Sequence, residues 1–121
     1  DLIADYRRQQ PKAAGDLPLI WREAQLRALG GQRDPASALM RSTYKPAHAD
    51  VGGWNAYVDA TIAFLDDDLP ALKQARARLA ALPPPPGRVV RDGMVQVEAE
   101  QVPWPPRLPV VFAACESVRA R

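Results

Sequence analysis

Few residues in this chain are of types that carry chemistry, and their spacing limits what that chemistry is. His48 is the single histidine and Cys115 the single cysteine. One histidine excludes a His-pair metal site, and one cysteine excludes an internal disulfide and a multi-cysteine zinc site. His48 lies in the run Lys45-Pro46-Ala47-His48-Ala49-Asp50, where Asp50 is placed to orient it as a base, but no serine or cysteine nucleophile stands beside it. It reads as a solvated loop histidine. Cys115 falls on the apolar face of the last predicted helix, where a thiol packs as a small hydrophobe. Asp66, Asp67 and Asp68 are carboxylates of the kind that bind hard cations, yet they lack the alternating spacing and distal Glu of a calcium loop. A helix end followed by an N-cap accounts for all three. Glu98 and Glu100 alternate as a solvated strand face does, and Gly30-Gly31 and Gly52-Gly53 are too short to be phosphate loops. The chain is therefore expected to be a non-enzyme with no metal and no cofactor.

Charge narrows the partners further. The 121 residues carry 16 Lys and Arg against 14 Asp and Glu, for a net charge of +2. Arg22, Arg27, Arg33, Arg41, Lys73, Arg76 and Arg78, with Trp21 and Tyr57 near them in sequence, suggest one alternative, a basic helical nucleic-acid-binding domain. Interspersed acids and the small net charge favour a solvated face instead. No apolar run reaches the ~18 residues that a membrane span needs. A chain opening Asp1-Leu2-Ile3 fits either a removed leader or a start inside a longer protein, and a single thiol fits the cytoplasm or an export compartment.

The elements that must position these residues are set by proline and alanine. Alanine is abundant and favours helix, because it loses no side-chain entropy there. A first segment, Leu2 to Gln10, is closed by Pro11, which cannot continue a helix. A second helix starts with Asp16 as N-cap and Pro18 in its first turn and stops at Gly30-Gly31. Asp34-Pro35 repeats the cap-then-proline pattern for a third, which carries Ala36, Leu39, Met40 and Thr43 and halts before Pro46. A fourth has Trp54, Tyr57, Val58, Thr61, Ile62 and Leu65 at helical spacing, the strongest periodicity in the chain. A fifth is capped by Asp68, has Pro70 in its first turn, presents Leu72, Ala75, Leu79 and Leu82 on one face, and ends at Pro83–Pro86. Between Arg88 and Val102, valines flank Asp92-Gly93, a hairpin-turn dipeptide, so the segment is either a short β-hairpin or an irregular loop. A terminal helix near Pro109 presents Val110, Val111, Ala114, Cys115 and Val118.

A shift of 36 residues lays the first helix pair on the second. Ala24 falls on Ala60, Leu26 on Ile62, Leu29 on Leu65, Gly30-Gly31 on Asp66-Asp67 and Ala36 on Leu72. A single helical hairpin cannot bury both its faces, so a repeat of this length predicts neighbours that share a core. Over about residues 16 to 83 the chain resembles the tetratricopeptide repeat family, through small Ala24 and Ala60 in the first helices, Ala36 opening the first unit's second helix, and closing Pro46 and Pro83. It departs in its period of 36 rather than about 34, in Leu72 where the family has Ala, and in the large aromatic of the second helix, which is Met40 in one unit and missing in the other.

The expected fold is all-α: a single helical-repeat domain over 1–121, with stacked antiparallel hairpins at about 16–46 and 54–83, a Pro-rich loop or β-hairpin over 84–106, and a last helix over about 108–120. Two units are few for such a domain, so the flanking helices are expected to act as half-units, or the chain to pair with another copy or belong to a longer parent. The resemblance implies an interaction module or scaffold that holds a peptide or helix of a partner protein on the surface of the first helices. Trp21, Arg22, Gln25, Tyr57 and Thr61 are the expected partner-binding residues. Trp54 reads as core, while Trp21 and Tyr57 fit either core or groove. A nucleic-acid partner is disfavoured, and a homo-oligomer is compatible with the pattern.

Overall fold

A computed structural model of the chain describes residues 17–97 and 99–120. The first predicted segment, Leu2 to Gln10 with its closing Pro11, the Asp16 cap and Glu98 lie outside the described residues. The structure is mostly helical, with a two-stranded antiparallel ribbon. Contacts gather into two compact units, one ending at Tyr44 and the other beginning at Lys45.

The first unit is a helical hairpin of α1, Leu17–Leu29, and α2, Arg33–Arg41. Ile20, Glu23 and Ala24 of α1 and Ala36, Ser37 and Met40 of α2 are buried. Helix α1 stops where Gly30-Gly31 predicts. Gln32 N donates to Arg27 O, and Gly31 N to Ala28 O, with Gly31 at φ +81°. This is the paired-bond motif that satisfies the last carbonyls of a helix, and it needs a left-handed residue where Gly31 stands. The start of α2 differs from the sequence pattern. Its N-cap is Gln32, and Asp34 sits inside the first turn without capping. The reason is local: Gln32 is already fixed as the last residue of the preceding motif, and Asp34 still places its charge at the positive end of the helix. Helix α2 also ends at Arg41 rather than running to Pro46. Ser42 and Thr43 turn their hydroxyls back to Leu39 O and Met40 O, at 2.6 Å each, which competes with helix continuation.

The second unit holds a 3₁₀ turn, Ala47–Ala49, then α3, Trp54–Leu65, and α4, Leu69–Ala80. A ribbon of β1, Met94–Val97, and β2, Glu100–Pro103, precedes α5, Leu108–Arg119. Asp68 caps α4 as predicted, its Oδ1 accepting from Ala71 N at 3.2 Å, and Pro70 occupies the first turn. Leu82 falls beyond the end of α4. The core joins Ala56, Ala60 and Ala63 of α3, Leu72, Ala75 and Leu79 of α4, and Val111 and Cys115 of α5. The face of α3 in this cluster is thus its alanine face rather than the face of large residues that periodicity singles out. Small side chains let helices approach closely, and the larger Leu and Val side chains of α4 and α5 fill the space. Val58 and Ile62, on another side of α3, are buried as well.

The β-hairpin is present, but its turn is not where the Asp-Gly dipeptide predicts. Met94 pairs with Pro103, Val95 with Val102, Gln96 with Gln101 and Val97 with Glu100, so the innermost pair of the ribbon is Val97 with Glu100. Asp92-Gly93 does make a tight two-residue turn. Both residues have positive φ, and Arg91 and Met94 exchange backbone hydrogen bonds at 2.8 and 2.9 Å. The pairing stops after that one bridge. The strand that Val89 and Val90 would supply does not form, and both valines are exposed. Trp104 anchors the ribbon, its Nε1 donating to Leu82 O at 3.2 Å and its backbone N to Gly93 O at 2.9 Å.

Candidate functional site

Helices α3 and α5 leave a groove of about 370 Å³ between them, within the second unit. Tyr57, Thr61 and Phe64 follow each other on α3 at spacings of four and three, so they share one stripe. Val110, Ala114 and Ser117 form the facing stripe of α5. The walls are almost wholly apolar. The Thr61 hydroxyl is satisfied by its own helix, Oγ1 donating to Tyr57 O at 2.9 Å.

One end of the groove is aromatic and basic. Arg107 is the N-cap of α5 in a left-handed conformation, φ 65°. Its guanidinium carbon lies 5.1 Å from the centre of the Trp54 ring and 5.3 Å from that of Tyr57, and the two rings are themselves 5.6 Å apart. Lys45 Nζ lies 5.8 Å from the Trp54 ring. Cations at these distances are held by the negative ring faces. Asn55 fixes the backbone of Lys45 with two bonds of 2.8 Å, from Lys45 N to its Oδ1 and from its Nδ2 to Lys45 O. The Asp50 carboxylate accepts from Asn55 N at 3.3 Å, where it caps the start of α3. Asp50 therefore serves the helix terminus, and His48 is exposed on its 3₁₀ turn.

The partner-binding residues expected from sequence separate into two groups. Tyr57 and Thr61 line the groove together. Trp21, Arg22 and Gln25 lie on α1 in the first unit and are not among its lining residues, with Trp21 half-buried and Arg22 and Gln25 exposed. Trp54, expected in the core, is half-buried in the aromatic cluster with Arg107 and Lys45. Sequence reasoning missed Phe64, although it stands seven residues after Tyr57 and three after Thr61 on the same stripe. It also missed Arg107 and Lys45, which only the fold brings beside Trp54. Val110, read as part of the apolar face of the last helix, is 56% exposed, because that face is wider than α3 and α4 cover.

The other chemistry-bearing residues are occupied structurally. Cys115 is fully buried in the core cluster. Asp67 is left-handed at the end of α3, and Asp68 caps α4. Buried Glu23 accepts from Arg27 Nε at 3.1 Å, and Arg27 Nη1 reaches Gln32 Oε1 at 2.8 Å. Among the described residues no group of three or more His, Cys, Asp or Glu is placed to hold a metal ion, and no helix is long and apolar enough to cross a membrane. Comparison with protein-family models, with curated proteins and with solved structures finds no match for this chain.

Proposed function

We propose that this chain is a non-enzymatic interaction module that receives a helix or peptide of a partner protein in the groove between α3 and α5. The observation that carries the reading is the stripe of Tyr57, Thr61 and Phe64 facing Val110, Ala114 and Ser117, apolar on both sides and bordered by Arg107. Two adjacent helices with an open apolar seam are the receptor half of helix-in-groove recognition. Tyrosine and arginine beside one another are the residue types that most often dominate such interfaces. We take the two hairpins to be successive units of one divergent tetratricopeptide-like repeat, with α5 as the first helix of an incomplete third unit. The equivalence of Gly31 with Asp67, and of Ala24 with Ala60, supports that assignment. Trp21, Arg22 and Gln25 on α1 would then be contact residues carried by the first unit. A nucleic-acid partner is disfavoured by the same geometry: Arg27 pairs with Glu23, Arg78 with Asp59 at 2.6 Å, and Arg76 lies over the Phe112 ring at 4.9 Å.

The test is affinity capture from a lysate with the wild-type chain, Tyr57→Ala and the groove-filling Ser117→Trp, all confirmed folded by circular dichroism. A partner retained by the wild type and lost by both variants is the expected result. Equal retention by all three removes the groove from the reading.

A further inference from the structure

The β1–β2 ribbon has one open backbone edge, and the phase of its hydrogen bonds identifies it. Arg91 and Met94 exchange backbone bonds on the side of β1 away from β2. On the side toward β2, Trp104 N donates to Gly93 O. Bonded positions alternate along an antiparallel strand. Val95 and Val97 therefore turn their N–H and C=O toward β2, and Met94 and Gln96 turn theirs outward. Arg91 takes up those of Met94. Among the described residues, no backbone group pairs with those of Gln96. The outer edge of β2 is blunted by contrast, because Pro103 has no N–H to offer there. Beside Gln96 lies a cleft of about 570 Å³, with Arg88, Arg91, Asp92, Met94, Gln96 and Gln101 in its lining. Gln96 and Gln101 are cross-strand partners and project from the same face of the ribbon. Glu100, paired with Val97, belongs to the opposite face. The cleft thus sets two guanidiniums against one carboxylate. Among the described residues, neither the Arg88 nor the Arg91 side chain has an ion-pair or hydrogen-bond partner.

We propose that an extended acidic segment of a partner protein adds to this edge as an antiparallel third strand. One of its residues pairs with Gln96 and exchanges both main-chain bonds with it. Its acidic side chains, at alternate positions, enter the cleft toward Arg88 and Arg91. In sheet-edge addition the main chain supplies affinity and the side chains supply specificity. Here the arginines that line the cleft select carboxylates. The antiparallel direction continues the pairing that the Arg91–Met94 bridge begins. This surface is independent of the α3–α5 groove, since neither Gln96 nor either arginine lines that groove. The phase has a further consequence. Directly opposed residues of an antiparallel pair share a face, so the partner residue opposite Gln96 carries its side chain on the cleft side and its N–H toward β1. Its two neighbours have both reversed.

The test is an NMR titration of the isotope-labelled chain with a nine-residue peptide of alternating Glu and Thr, blocked at both ends. On binding, the Gln96 amide resonance should move downfield and its hydrogen exchange should slow at least tenfold. N-methylation of the Glu residues, which removes the N–H groups that face β1, should weaken binding at least tenfold. N-methylation of the Thr residues should change it less than about threefold. Arg88→Ala with Arg91→Ala, both at exposed positions, should weaken binding at least tenfold and flatten its salt dependence. Absence of binding overturns the proposal. Equal effects of the two methylation patterns also overturn it, because they mean charge attraction without strand pairing. Loss on Thr methylation alone overturns the antiparallel direction. A Gln96 amide already protected in the free chain overturns the open edge, with the chain's own Val89–Val90 segment as its occupant. A concentration-dependent dimer that protects Gln96 makes a second copy the occupant and overturns the acidic partner.

Discussion

Gly31 and Asp67 stand 36 residues apart and hold the same backbone conformation, φ +81° and +54°. Each ends the first helix of a hairpin with the same pair of hydrogen bonds, Gln32 N to Arg27 O and Gly31 N to Ala28 O in one, Asp68 N to Ala63 O and Asp67 N to Phe64 O in the other. The residues that follow match too, Gln32 at φ −92° and ψ 70°, Asp68 at φ −94° and ψ 85°. A repeat visible in sequence as a spacing of breakers is thus a repeat of one turn geometry. Asp is one of the few residues with a side chain that tolerate the left-handed region, which is why it stands where the first hairpin has glycine.

The turn geometry makes Gly31 costly to replace. A Cβ at Gly31 would meet nothing within 4 Å, so Gly31→Ala isolates the backbone cost. We expect a loss of about 1–2 kcal/mol, the penalty for a side chain in the left-handed region, measured by urea denaturation. An unchanged midpoint would show that the α1–α2 turn does not govern the stability of that hairpin.

Gly53 is constrained twice. It caps α3 at φ +78°, and a Cβ there would lie 2.6 Å from Leu79 Cδ1. Gly53→Ala should cost more than Gly31→Ala, by about 1–3 kcal/mol of overpacking. Leu79→Ala alone should cost about 2–5 kcal/mol. Adding Gly53→Ala to Leu79→Ala should cost less than adding it to the wild type, because the clashing methyl is gone. Strict additivity in this double-mutant cycle would refute the contact.

In the first hairpin, Glu23 is buried and accepts from Arg27. Arg27→Ala removes this partner and the bond to Gln32, and should lower stability by about 2 kcal/mol. Glu23→Gln with Arg27→Ala should recover part of that loss, since a neutral amide is easier to bury than a carboxylate that has lost Arg27. Equal stability of the single and double variants would contradict this account.

Cys115 sits in the core with no exposed surface. Alkylation by iodoacetamide should therefore follow global unfolding, with protection of at least about a thousandfold for a domain of ordinary stability. Rapid labelling of the native chain would show that α5 opens independently of α3 and α4.

The sequence by itself determined where helices begin and end wherever a local device does it: Gly30-Gly31 closes α1, and Asp68 with Pro70 opens α4, whereas α4 stops at Ala80, before the proline run. It also placed Tyr57 and Thr61 on one face of a helix, since their spacing was visible, and it held the 36-residue repeat of turns. Tertiary structure decided the rest. Periodicity could not tell that α3 turns alanines toward the α4 and α5 cluster, because small residues mark a close helix contact only once a neighbour is present. Asp92-Gly93 made its turn, but the ribbon formed between residues 94–97 and 100–103, since strand pairing depends on partners along the chain and not on the turn dipeptide alone. Arg107, 50 residues after Tyr57, reached the aromatic cluster only because the ribbon returns the chain to α3, and a contact made by folding over that distance leaves no local pattern in sequence.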